Sequence, residues 1–137
     1  MSTLRTNALE GMDAKNSITI VAGAGNITTT NVQGGLAKTW IELRTVDAAP
    51  VDGDSLNVSS LDDDATGRFT VHHTNSMGGI YHSKTAMPYS TTSTGNMVQV
   101  IGYDDQSASQ AQLTSVDEGN SAYDPTSLGF TIHGDLA

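Results

Sequence analysis

The stretch Ser55-Leu56-Asn57-Val58-Ser59-Ser60-Leu61-Asp62-Asp63-Asp64-Ala65-Thr66-Gly67-Arg68-Phe69-Thr70-Val71-His72-His73-Thr74 decides the fold class. Apolar and polar residues alternate from Ser55 to Leu61 and again from Arg68 to Thr74, the two-residue period of a strand with one face buried. Between the two runs, Asp62-Asp63-Asp64-Ala65-Thr66-Gly67 interrupts the alternation with residues that favour turns. The pattern predicts an antiparallel β-hairpin, with Phe69 directed into a core.

Working outward, Lys38 to Val46 carries the only Trp and reads as a long strand, with Trp40 as a core anchor. Asp47 to Asp54, which holds Pro50 and Gly53, reads as a polar connection. Beyond the hairpin, Ser76 to Gly79 reads as a turn, Ile80 to Ala86 as a strand, and Pro88 to Gly95 as a loop. Asn96 to Tyr103, Gln110 to Val116, and Gly129 to Gly134 with its core residue Phe130 follow as strands. A set of about seven or eight strands is expected, for which an antiparallel β-sandwich is the economical arrangement.

Composition agrees with an all-β chain. Of the 137 residues, only three are Glu and three Lys, whereas Asp, Ser, Thr and 14 Gly are abundant, which favours turns, caps and strands over helices. The formal net charge of −9 disfavours binding to phosphate backbones or anionic lipid, so no nucleic-acid partner and no membrane insertion are expected. With no Cys, the chain has no disulfide, zinc-thiolate site, thiol nucleophile or iron–sulfur cluster. Its longest apolar runs are far too short to span a bilayer, and Met1-Ser2-Thr3-Leu4-Arg5 lacks the apolar run of a secretory leader.

The first 36 residues differ from the rest. They contain no aromatic residue, and their apolar side chains come in short bursts separated by Gly11, Gly23, Gly25 and Gly34-Gly35. Such a segment cannot close a core of its own. It reads as an assembly arm that gains order by packing Leu4, Leu9, Ile18, Ile20, Val21 and Ile27 on something else, with a frayed terminus as the plainer alternative. Residues 37–137 then form the sandwich domain.

Several of these segments also resemble a module of tailed-bacteriophage virion proteins, above all the small tail-fibre-like or knob proteins of marine phages. The resemblance lies in Ala37-Lys38-Thr39-Trp40, in Asp54 to Leu61, and in Asp63, Thr66-Gly67 and Phe69-Thr70-Val71; the opening Ser2 to Gly11 is similar to the start of such chains. One departure stands out: where related chains read Thr-Val-Asn-Phe, this one reads Thr70-Val71-His72-His73, so His73 stands at the place of a core aromatic. The resemblance implies a non-enzymatic structural protein on the virion exterior, synthesised in the host cytoplasm without a signal peptide. It implies attachment to other virion proteins of the tail or capsid, homo-oligomerisation (a homotrimer in the fibre-like case), and a host surface glycan as a further partner. A capsid decoration or cement protein is the alternative, and a carbohydrate-binding lectin-like module the second.

The candidate sites carry little chemistry by themselves. Asp62, Asp63 and Asp64 are the oxygen donors a calcium ion would use, but the spacing of an EF-hand loop fails, and clustered Asp in a hairpin ordinarily solvates the turn. His73 would serve a metal only if repeated around a three-fold axis, because His72 and His73 face opposite sides of a strand. Gly-x-Ser-x-Gly is absent, and Gly23-Ala24-Gly25 lacks the Lys of a phosphate loop. No catalytic residue, bound metal or cofactor is therefore expected. Tyr89, Tyr103 and Tyr123 remain as surface-contact candidates for glycan stacking, with core or subunit packing as the plainer reading.

Overall fold

The computed structural model describes residues 19–22, 28–31, 35–46, 49–80, 82–90, 98–100 and 107–135. The chain divides into two units, Met1–Leu36 and Ala37–Ala137. In the first unit, β1 (Thr19–Ala22) pairs antiparallel with β2 (Thr28–Asn31), with Ile20 opposite Thr30 and Val21 opposite Thr29. Leu4, Leu9, Ile18 and Ile27 lie outside the described residues.

The second unit is an all-β antiparallel sandwich. Its strands are β3 (Ala37–Val46), β4 (Ala49–Leu56), β5 (Val58–Ala65), β6 (Arg68–His73), β7 (Ser83–Tyr89), β8 (Val98–Val100), β9 (Gln110–Val116) and β10 (Ser127–His133). They make two four-stranded sheets, in the orders β4-β3-β10-β7 and β5-β6-β9-β8. The inward face of the first sheet supplies Ile41, Leu43, Leu128, Phe130 and Ile132, and that of the second Phe69, Val71, Ala111 and Leu113. Met77, from the connection between β6 and β7, is buried with them, and Val58, Leu61 and Ala86 pack around this cluster. Burying these side chains is what holds the two sheets face to face.

Phe69 and Phe130 are core residues as predicted, but Trp40 is not a core anchor. On β3 the inward positions are Thr39, Ile41 and Leu43; Trp40 shares the opposite face with Glu42 and Arg44 and is half-buried there. The alternation of the strand fixes this, since one residue cannot join both faces.

The run from Ser55 to Leu61 is two strands rather than one. Asn57 has φ 61°, a left-handed conformation that ends β4 in one sheet and starts β5 in the other. Its side chain locks the corner: Oδ1 accepts the Asn75 amide at 2.7 Å, while Nδ2 donates to the Asn75 carbonyl at 3.0 Å and to Thr39 Oγ1 at 3.3 Å. The Asn57 carbonyl accepts the Thr74 amide at 3.1 Å. Asn suits the site because it tolerates positive φ and carries both a donor and an acceptor.

Three other boundaries differ from the sequence reading. The segment expected as a polar connection forms most of β4, where Pro50 is tolerated because this is an edge strand and Gly53 is the extra residue of a bulge opposite Glu42 and Leu43. Edge position likewise lets β7 run through Pro88 to Tyr89 instead of stopping at Ala86. Asp62, Asp63 and Asp64 lie within β5, and only Thr66-Gly67 forms the turn. Gly67 has φ 69°, its amide is capped by the Asp124 carboxylate, and its carbonyl accepts the Ser115 amide at 2.6 Å.

Three substitutions at two positions test these corners. Asn57→Gly keeps the backbone but loses the side-chain bonds and should cost about 1–2 kcal/mol, whereas Asn57→Ala also forces an unfavourable φ and should cost about 1 kcal/mol more. Gly67→Ala should be worse than about 2 kcal/mol, because an added Cβ would fall 2.4 Å from the Ser115 carbonyl oxygen in addition to the strained φ. Urea unfolding midpoints read all three.

Candidate functional site

The outward face of β5, β6 and β9 gathers the acidic candidates. Asp62 and Asp64 are two residues apart on β5, so they share a face, and that face meets the outward side chains of β6 and β9. His72 Nε2 lies 2.8 Å from Asp62 Oδ2, an ion pair when the imidazole is protonated. The Thr70 hydroxyl donates to Asp64 Oδ2 at 2.7 Å, and the Gln112 amide donates to the same oxygen at 3.3 Å. Thr70 and Gln112 are cross-strand partners and each is only 4% exposed, although both point away from the apolar core. Asp64 therefore satisfies two nearly buried donors, whereas Asp63 is exposed between the two bonded carboxylates. Among the described residues, no group of three or more His, Asp or Glu is placed to hold a metal ion.

His73 occupies a different environment. It continues the inward row of Phe69 and Val71 and is 6% exposed, so an imidazole takes a place in the interior. Its Nδ1 lies 3.3 Å from Thr39 Oγ1, and its Nε2 is buried without a partner. Burial, reinforced by the nearby His82, Lys84 and His72, lowers its pKa to about 4. His82 Nδ1 lies 3.3 Å from the Gly79 carbonyl, which can only accept, so Nδ1 carries the proton of the neutral ring. Its Nε2 is also buried and unpartnered. Burial and then Lys84 lower the pKa of His82, against the opposing effect of Gly79, and burial alone lowers that of Lys84.

This second cluster was not legible as a site. His82 and Lys84 follow His73 by nine and eleven positions, and only the return of β7 beside β10 brings them back to it. The one local signal is that Lys84 takes the same inward parity on β7 as Ala86.

The three candidate tyrosines divide among three situations. Tyr89 is 61% exposed on the outward side of edge strand β7, beside Met87 at 76%. Tyr123 is half-buried, with its hydroxyl hydrogen-bonded to the Ser90 hydroxyl, so it is not a free contact residue. Tyr103 lies outside the described residues.

Comparison with protein-family models, curated proteins and solved structures finds no match to this chain. Among the described residues, no helix is long and apolar enough to cross a membrane.

The acidic face yields a direct contrast. Asp64→Ala leaves the Thr70 hydroxyl and the Gln112 amide without this acceptor and should destabilise the fold by about 1–3 kcal/mol. Asp63→Ala should stay within about 0.5 kcal/mol of the parent. Thermal unfolding of the two variants side by side measures the difference.

Proposed function

We propose that this chain is a structural component of a tailed-phage virion, exposed on the particle exterior as a tail-fibre-like or knob protein and attached through residues 1–36. The observation that carries this reading is where the phage-like segments fall in the fold. Ala37 to Trp40 opens β3, Asp54 to Leu61 spans the crossing at Asn57, and Thr66-Gly67 with Phe69 to Val71 makes the turn and inward row of β6. The resemblance thus covers the residues that build the sandwich, which supports a shared scaffold. The polar side chains also favour a non-enzymatic role: Asp62, Asp64, His72 and Tyr123 are engaged with one another or with Thr70, Gln112 and Ser90.

The arm would bind other virion proteins and the sandwich would face outward, assembled as a homo-oligomer, a homotrimer if fibre-like. Exposed Tyr89 and Met87 on β7 give that outward domain a surface suited to a host glycan. Electron microscopy of intact particles, with an antibody raised against the purified chain, tests the assignment. Label at the tail is the expected result. Label over the shell lattice would replace it with a capsid decoration role. Particles free of label, together with glycan binding by the soluble chain, would overturn the virion reading in favour of a lectin-like module.

A further inference from the structure

We propose that the end of the sandwich where His73, His82 and Lys84 gather is an acid-operated latch: proton uptake by the two imidazoles releases the segment Ser76–Ile80 while the two sheets stay paired.

The argument starts from what surrounds the imidazoles. His73 is the last residue of β6 and faces the interior; β3 contributes the Thr39 hydroxyl at 3.3 Å. From β10, Ile132 sits opposite Lys84 in the ladder, and Gly134 follows so closely that a Cβ there would lie 3.0 Å from His82 Cβ and 3.3 Å from Met77 Cε. Two ring nitrogens, Nε2 of His73 and Nε2 of His82, are enclosed without hydrogen-bond partners. The charges acting on His73 are those of His82, Lys84 and His72, and the charge acting on His82 is that of Lys84. All of these are basic. Asp62 lies against His72 on the opposite face of the sheet. Protonating either ring therefore adds positive charge to an enclosed site that already holds an ammonium group and where, among the described residues, no carboxylate acts on the rings.

The strands cannot relieve that charge easily, because β6 is paired on both sides, with β5 and β9. The connection after it is held more lightly. Thr74 and Asn75 stay tied to Asn57, but beyond them, among the described residues, only two backbone bonds hold the segment: Met77 donates its amide to the Ala108 carbonyl at 2.7 Å and Gly78 to the Asp135 carbonyl at 2.6 Å. Ile80 is exposed. Withdrawing this short segment, with the Met77 side chain, opens both rings to water at the loss of few bonds.

The sign follows from linkage. A solvated imidazole titrates at about 6.5, while the closed state holds His73 at about 4 and His82 below its ordinary value. The open state binds protons first, so the closed state is fully favoured above about pH 6.5 and loses ground as pH falls. The opening equilibrium should rise up to about tenfold per pH unit for each imidazole, levelling off for His73 below about pH 4.

Native-state hydrogen exchange between pH 7 and 4.5, corrected for intrinsic rates, reads this directly. Protection at the Met77 and Gly78 amides should fall by about tenfold or more per pH unit below about 6.5, while amides of β6 and β9 keep theirs. His82→Gln should make the fall shallower. Protection at Met77 and Gly78 that stays flat, or that falls only together with β6 and β9, would overturn the latch. A measurement on the unaltered protein stands beside the variant: ring NMR shifts showing both buried imidazoles titrating near pH 6.5 in the closed state would overturn it as well.

Discussion

The sandwich depends on one left-handed residue. At Asn57 the chain leaves the sheet of β4 and enters that of β5 with no intervening loop, and only a residue comfortable at φ 61° can make the change in a single step. The side chain then fixes the angle of the corner by bonding to Asn75 after β6 and to Thr39 on β3. Thr39 in turn lies against His73. One amide thus connects the crossing, the far end of the hairpin and the enclosed imidazole, so the corner and the basic cluster belong to one hydrogen-bonded system.

The two outward faces of the sandwich solve different problems. On the second sheet, acidic β5 is an edge strand, and its exposed carboxylates discourage another strand from adding there. One of the same carboxylates, Asp64, also reaches back across β6 and β9 to satisfy both Thr70 and Gln112, while Asp62 holds His72. On the first sheet, edge strand β7 is guarded instead by Pro88 and by the inward Lys84. The charge of −9 therefore has structural duties as well as solvating ones.

Much of the architecture was readable from alternation. Gln110 to Val116 is β9 to the residue, and β3 and β10 lie within a few residues of their predicted ends. What escaped was governed by partners distant in sequence. The alternation of Leu56 and Val58 runs straight through Asn57, so nothing local announces the corner; the Thr39 and Asn75 bonds that hold it are each 18 residues away. Turn propensity placed Asp62 to Asp64 in the hairpin turn, but pairing with β6 through two bulges draws them into the strand. Trp40 was misplaced for a plainer reason. Its hydrophobicity outweighed its parity, although Glu42 and Arg44 on the same face already showed which side meets water. Of the candidate sites, the acidic face was visible as a charge run, while the His73 cluster required the tertiary fold.

The strand order of the first sheet has a consequence for how the protein is made. β10 lies between β3 and β7, so a strand from the far end of the domain forms the middle of that sheet. Until residues 127–133 are available, the β3–β4 ribbon and β7 have no ladder to join, and Ile41 and Leu43 lack the Leu128, Phe130 and Ile132 row beside them. A nascent chain can form the β5–β6 hairpin early, but it cannot finish the sandwich until nearly all of the domain has left the ribosome. Folding is then ruled by long-range pairing, the slow regime for a domain of this size, and the partly emerged chain exposes apolar strand faces throughout synthesis.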